Sequence, residues 1–239
     1  MLNLVLDIIL PQEVCCICRK AGRYGSRQPW CEECQEKMLK MQCACSYCDI
    51  CGKYLENGAR LCKDCRENPP LFKIARAVGP YEECYRIATK VLKFMGKKYL
   101  APCMGDMMAR RIQEEPRFMP IDLIVPVPIS RGGLKQRGFN QTELLGKQIS
   151  KRLGIKMDPE VICRVKDTPS QVELSREERE KNLLFAFKIK DSNKVYRKNI
   201  LLVDDVYTTG STCRECTRVL LDAGAGQVSI ITWATGRGF

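Results

Sequence analysis

The chain has 239 residues, 45% of them apolar or aromatic and 28% charged, the composition of a globular protein long enough for one full domain and a small module. Forty lysines and arginines against 28 acids give a formal charge of +12, which favours anionic partners such as phosphates, nucleic acid or a membrane surface. Histidine is absent, and that excludes Ser-His-Asp and Cys-His nucleophiles, HExxH metallopeptidases and every mixed Cys/His zinc site.

The opening MLNLVLDIIL is apolar, but it has no basic lead, carries Asp7 and runs into Pro11, so it predicts a short docking helix rather than a signal peptide. No run approaches the roughly 18 apolar residues of a membrane-spanning helix, so none is expected. The expected location is the cytoplasm, where cysteines act as metal ligands or free thiols rather than disulfides.

Eleven of the 16 cysteines lie between Cys15 and Cys65, and eight of these form four CxxC knuckles: Cys15/Cys18, Cys31/Cys34, Cys48/Cys51 and Cys62/Cys65. One knuckle places two sulfurs about 2.3 Å from a zinc ion, and a second completes the tetrahedron. Pairing neighbours gives one zinc on Cys15, Cys18, Cys31 and Cys34 and another on Cys48, Cys51, Cys62 and Cys65. A cross-braced arrangement, first knuckle with third and second with fourth, fits the spacing as well. Four thiolates leave no position open for a substrate, so both zinc sites are read as structural, and together they would lower the net charge to about +8. Gly52, directly after the third knuckle, suits the tight turn that aims amides at a thiolate. Cys16, Cys43 and Cys45 are left without a metal role. A module this small has too little core to fold stably without metal.

Glu67-Asn68-Pro69-Pro70 marks a linker, dividing the chain into an N-terminal helix with the double cysteine module, residues 1–68, and a domain over 71–239. Beyond the linker, a strand is predicted over 73–78, a helix with a basic face over 84–94 and another helix over 102–113. A strand over 121–125, closed by Pro126-Val127-Pro128, precedes an amphipathic helix over 140–153. A buried strand over 200–203, a helix over 212–222 and a strand over 227–233 complete the pattern. This alternation predicts a mainly parallel α/β sheet whose ligand binds beyond the carboxyl ends of the strands. Lys90, Lys93, Lys97 and Lys98 read as a solvated basic face that a nucleic-acid backbone could also follow. Cys213 and Cys216 read as a packed helical pair.

In "LLVDDVYTTGST", residues 201–212, a buried strand delivers Asp204 and Asp205 to the sheet edge, and Thr208-Thr209-Gly210-Ser211-Thr212 leads into a helix. A glycine turn at a helix N-terminus makes an anion nest, and the hydroxyls add neutral donors. No GK[ST] occurs in the chain, so this is not a Walker A loop. Two acids beside a phosphate cradle suit a ligand that also carries hydroxyls, with Mg2+ covering its remaining charge. A ribose 5-phosphate group has both halves, its phosphate for the nest and its 2- and 3-hydroxyls for Asp204 and Asp205. The plainer alternative is an ordinary turn with a Thr or Ser N-cap and solvent-facing acids.

"ILLVDDVYTTGST" resembles the phosphoribosyl pyrophosphate (PRPP) motif of type I phosphoribosyltransferases. Adding "VPVPISRGGLKQRGFNQTELL" (125–145), "RVKDTPSQVELSREEREKN" (164–182) and the cysteine module, nearly the whole chain resembles the ComF family of amidophosphoribosyltransferase-like competence proteins. The resemblance implies a type I phosphoribosyltransferase-like α/β fold, a mainly parallel sheet flanked by helices and preceded by a small double zinc-ribbon module. It implies PRPP with Mg2+ as ligand, Asp204 and Asp205 as the catalytic acids, and Thr208, Thr209, Gly210, Ser211 and Thr212 around the phosphate. Pro128 and Arg131 would belong to a pyrophosphate loop, with Arg137 as a second oxygen contact. Arg164, Thr168, Gln171, Arg179 and Asn182 would lie on a loop that closes over the site. The implied activity is transfer of phosphoribose to an acceptor with release of pyrophosphate, linked to DNA uptake in competence, with single-stranded DNA or other competence proteins as partners. The alternative is a non-catalytic factor that uses PRPP only as a ligand. Taken on their own, Arg131 and Arg137 also suit a solvated basic face, and "REEREK" suits a charged surface helix.

Overall fold

The computed structural model describes residues 14–21, 29–43, 46–55, 58–166 and 185–238. The helix expected over the first ten residues, and Cys45, Thr168, Gln171, Arg179 and Asn182, lie outside the described residues.

The cysteine-rich segment carries α1 (Glu32–Cys43), a hairpin of β1 (Ser46–Tyr47) and β2 (Tyr54–Leu55), and the short α2 (Lys63–Glu67). There follow β3 (Ile74–Pro80), α3 (Glu83–Phe94), α4 (Leu100–Gln113), β4 (Leu123–Pro126), α5 (Arg131–Arg137) and α6 (Gln141–Leu153). The chain ends with β5 (Ile162–Arg164), β6 (Phe187–Ile189), β7 (Asn199–Tyr207), α7 (Ser211–Asp222) and β8 (Gln227–Thr235). All the strands and helices predicted beyond the linker are present. The short α5 and the antiparallel β5–β6 pair are additions to that expectation.

Four strands form one parallel sheet in the order β3-β8-β7-β4. Residues 156–158 run beside β4: the Ile124 N–H donates to the Lys156 carbonyl at 2.9 Å, and the Asp158 N–H donates to the Ile124 carbonyl at 3.0 Å. The chain therefore leaves β4 outward through α6, whereas it leaves β7 inward through α7 to β8. Neighbouring strands whose connections depart in opposite directions define the switch point of a doubly wound sheet, where a crevice opens at their carboxyl ends.

Side chains alternate along a strand, so each face of the sheet has its own core. On one face Leu201 and Val203 join Ile124, Ile231 and Trp233 against α3, α4 and α6. On the other, Ile200 and Leu202 join Val125, Val228 and Ile230 against α7 and the β5–β6 pair. The cysteine segment contributes to both: Cys15, Trp30, Cys34 and Met38 to the first, Cys48, Cys51, Cys62 and Cys65 to the second. Trp30 lies 6.0 Å from Trp233, and the Tyr85 hydroxyl donates to the Met38 carbonyl at 3.2 Å.

Arg76 on β3 clamps the third knuckle to the sheet. Its buried guanidinium donates to Glu115 at 3.1 Å and to the carbonyls of Ala75, Cys48 and Asp49 at 2.8, 3.3 and 3.0 Å. Gly52 has φ +69°, and a Cβ there would lie 2.6 Å from the Ala75 carbonyl oxygen. Only glycine lets the knuckle approach β3 this closely.

Candidate functional site

The carboxyl ends of β4 and β7 bring the two predicted loops side by side. Past β4, the Val127 N–H still donates to the Val203 carbonyl at 2.9 Å. The Asn140 amide and the Thr142 hydroxyl both donate to the Val127 carbonyl, at 3.2 and 2.6 Å, and so hold the loop from below. Pro128 is half-buried in that loop, Ser130 caps α5 by accepting from the Gly133 N–H at 3.1 Å, and exposed Arg131 opens α5.

Past β7, Thr208 is exposed and Thr209 half-buried, and Gly210, with φ +82°, is the N-cap of α7. Buried Ser211 and half-buried Thr212 form the first turn, and the Thr209 and Ser211 hydroxyls lie 2.8 Å apart. An α-helix leaves its first amides without intrahelical partners and carries partial positive charge there. Gly210 presents no side-chain acceptor to them.

The acids sit differently from the expectation. Strand β7 continues to Tyr207, so Asp204 and Asp205 lie within it rather than beyond its end. Main-chain pairing with β8 runs on to Tyr207 and Thr235, and backbone hydrogen bonds are indifferent to side-chain polarity, whereas the apolar run stops at Val203. Consecutive strand residues face opposite sides.

Asp205 meets α3 and α6. Its Oδ1 lies 2.7 Å from the Lys93 Nζ, and its Oδ2 accepts from the Gln141 Nε2 at 2.6 Å. The Gln141 Oε1 in turn accepts from Arg137 at 3.1 Å, and the Arg137 guanidinium lies 5.3 Å from the Phe94 ring. The Arg137 Nε is buried with no hydrogen-bond partner among the described residues. Lys93 is thus not part of a solvated face, since its side chain is only 19% exposed.

Asp204 meets α7. Its Oδ1 accepts from the Asp205 N–H at 2.8 Å, and the Cys213 thiol donates to its Oδ2 across 3.8 Å. Burial, together with the charge of Asp205, pushes the Asp204 carboxyl up to about 7. Cys213 and Cys216 are both fully packed beneath it, as the helical pair predicted.

Arg164 ends β5 on the α7 side of the sheet, 5.6 Å from the Phe187 ring, and donates to the Lys166 carbonyl at 3.2 Å. Arg179 lies outside the described residues. Among the described residues, none of the predicted loop residues lines the cavity of about 280 Å³ bounded by Tyr47, Tyr54, Arg76 and Arg111.

The eight knuckle cysteines gather as neighbours: Cys15, Cys18, Cys31 and Cys34 in one cluster, and Cys48, Cys51, Cys62 and Cys65 in the other. Four sulfurs bound about 2.3 Å from one ion lie about 3.8 Å apart. The Cys15–Cys34, Cys18–Cys31 and Cys51–Cys62 sulfurs are separated by 3.8, 3.6 and 3.6 Å, tetrahedral edges rather than disulfides. Amides aim at the sulfurs, from Cys18 and Cys31 to Cys15 at 3.5 and 3.3 Å and from Cys62 to Cys48 at 3.4 Å. Both donor sets fit a thiophilic metal ion. Among the described residues, no helix is long and apolar enough to cross a membrane.

No family model matches the chain. It is similar to Competence protein F of Haemophilus influenzae, 29% identical over 226 residues that cover 93% of this chain and 96% of that protein. It is also similar to DNA utilization protein YhgH of Salmonella typhi, 31% identical over 188 residues that cover 77% of this chain and 82% of that protein. Among solved structures, glutamine phosphoribosylpyrophosphate amidotransferase from B. subtilis, complexed with ADP and GMP, is similar over 55% of this chain, with 20% identity and a TM-score of 0.38. The chain spans 25% of that enzyme's length. Since the likeness to YhgH extends over most of both proteins and the likeness to Competence protein F runs nearly end to end, the chain belongs to the ComF family.

Proposed function

We propose that this chain binds PRPP with Mg2+ at the carboxyl ends of β4 and β7, and that it acts in DNA uptake as a cytoplasmic, phosphoribosyltransferase-like protein. The observation that carries the reading is the meeting of two loops at the switch point: the glycine–hydroxyl turn at the head of α7, and the loop 127–131 on the adjacent strand. The 5-phosphate is read onto the first-turn amides of α7 and the hydroxyls of Thr208, Thr209, Ser211 and Thr212. The ribose hydroxyls donate to Asp204 and Asp205, whose oxygens each retain a second lone pair. Pyrophosphate lies against Pro128 and Arg131, within reach of Arg137, whose buried Nε has a donor to spare. Arg164 and Arg179 belong to the closing segment. Both cysteine clusters hold structural zinc.

In the transfer reaction, an acceptor forms a bond to ribose C1 while the C1–oxygen bond to pyrophosphate breaks, and that electron pair leaves with pyrophosphate. The carboxylate beside the sugar stabilises the cationic transition state, and arginines stabilise the leaving group. Mg2+ supplies further neutralisation of the pyrophosphate. With no histidine in the chain, the acceptor proton passes to Asp205 or to a group of the substrate itself. Calorimetry on zinc-loaded protein tests the reading. PRPP with Mg2+ should bind, the Asp204→Asn/Asp205→Asn variant should not, and absence of binding to intact protein sinks it.

One observation favours a second reading, in which the chain binds PRPP without transferring it. The Asp205 charge is already offset by Lys93 at 2.7 Å, so the carboxylate can still accept a sugar hydroxyl but has less charge to offer a cationic transition state. In that case PRPP binds, no pyrophosphate appears with any acceptor tried, and the positive charge of the protein serves single-stranded DNA or competence partners. A DNA binding constant insensitive to salt argues against such backbone contacts.

A further inference from the structure

Tyr207 links the second cysteine cluster to the candidate phosphate loop. Tyr207, the residue before that loop, is 3% exposed and stands in one core with Cys48, Cys51, Cys62 and Cys65. Its ring meets Phe72 edge-on at 6.2 Å. Its hydroxyl end lies over Gly210, where a Cβ would come within 2.2 Å of the Tyr207 oxygen. One side chain therefore reaches from the cysteine wall to the positive-φ turn that heads α7.

The main chain repeats the link. The Tyr207 carbonyl accepts from the Gly236 N–H at 2.8 Å and from the Thr235 hydroxyl at 3.2 Å. Two residues further on, the Gly238 N–H donates to the Tyr54 carbonyl at 2.8 Å, and a Cβ on Gly238 would lie 3.0 Å from the Cys62 Cβ. In the first turn of α7, Arg214 donates to the Asn68 carbonyl at 2.9 Å, just past the fourth knuckle.

We propose that Tyr207 is a positioning residue through which the second cysteine cluster, when metal-loaded, sets the shape of the loop 208–212 and hence its affinity for a phosphate group. The first cluster has no such part, because it belongs to the core on the opposite face of the sheet. The proposal rests on the reading that this loop takes a phosphate. The physical reason is that a turn at φ +82°, held locally only by the Thr209–Ser211 hydroxyl contact, the Ser211 N–H to Thr209 Oγ1 bond and the helical Arg214 N–H to Gly210 carbonyl bond, also depends on what packs against Gly210 for its shape. A cluster cross-linked by metal is a rigid wall, whereas four separate thiols are not.

The test uses the full chain with both clusters zinc-loaded, and reads amide hydrogen exchange of residues 208–213 beside calorimetry with Mg2+-PRPP. Tyr207→Leu should retain both zinc ions, speed exchange in the loop about tenfold and weaken Mg2+-PRPP binding by a similar factor. Cys62→Ser, which loses the second zinc, should speed loop exchange likewise. Cys18→Ser, which loses the first, should leave it within about threefold of the parent. Unchanged loop exchange in Tyr207→Leu overturns the proposal, as does equal acceleration by Cys18→Ser and Cys62→Ser. If Cys62→Ser does not fold, Tyr207→Leu decides alone. If the parent protein fails to bind Mg2+-PRPP, the proposed function falls, and the exchange comparison still decides whether the cluster positions the loop.

Discussion

Buried against Cys213 and beside Asp205, the Asp204 carboxyl keeps its proton up to a pH of about 7. In the unfolded chain it gives up that proton near its ordinary value of 3.8. Between these limits the folded state binds more protons, so stability falls as pH rises from the ordinary carboxylate value to about 7 and stays lower above it. Each unit is worth about 1.4 kcal/mol, which makes the total a few kcal/mol. Asp204→Asn should match the parent in thermal stability at acid pH and exceed it at pH values above 7. Comparing the two proteins at the same pH cancels the titration of the cysteine clusters, and a constant difference across the range would refute the assignment. Lys93→Met should cost on the order of 2–4 kcal/mol in denaturant titrations, because it strands the Asp205 charge. Adding Asp205→Asn should recover most of that loss, the non-additivity expected of a contacting pair. The acid doublet was legible in the sequence as a candidate site. Its partners were not: Lys93 sits among Lys90, Lys97 and Lys98, and only its ion pair with Asp205 in the folded chain tells it apart from them. Gln141 carries no local mark of function either.

At the scale of elements, the apolar runs and the glycine and proline stops located the eight predicted strands and helices to within a few residues. Strand β7 outran its expectation because its pairing with β8 carries it through polar positions. The β5–β6 pair joins two three-residue strands across a long stretch of chain, and so short a ladder leaves no periodicity to read. Helix α5 is seven residues, with two glycines that weaken any helical pattern. The turn between β7 and α7 is where backbone and side chain agree most closely. Gly210 needs both its positive φ and its missing Cβ, since the Tyr207 hydroxyl occupies the space. Gly210→Ala should therefore destabilise by about 1–3 kcal/mol in a denaturant titration. A neutral result would mean the turn relaxes without that contact.

For the whole molecule, the four knuckles made two four-cysteine clusters able to hold metal legible at once, while the choice of neighbour pairing over cross-bracing came from three-dimensional arrangement alone. Each cluster contributes cysteines to one of the two sheet cores, and Arg76 ties the third knuckle to β3. Removing metal should therefore weaken the sheet as well as the cysteine segment. A strong chelator is expected to lower the melting temperature by more than about 10 °C in a single transition. Two separated transitions, only one of them sensitive to chelator, would instead mean that the segments before and after residues 67–70 melt independently.

The two clusters differ in burial. All four cysteines of the second are buried, whereas Cys18 of the first is exposed and Cys31 half-buried. Oxidants and alkylating reagents attack a sulfur they can reach, so peroxide would meet Cys18 first and begin a sulfenic acid or disulfide there. Oxidative damage to this protein would thus be staged. The face of the sheet that carries Lys93 and Asp205 would lose the support of its cysteine cluster early, and the face beneath the loop 208–212 would keep its own until the fold had opened.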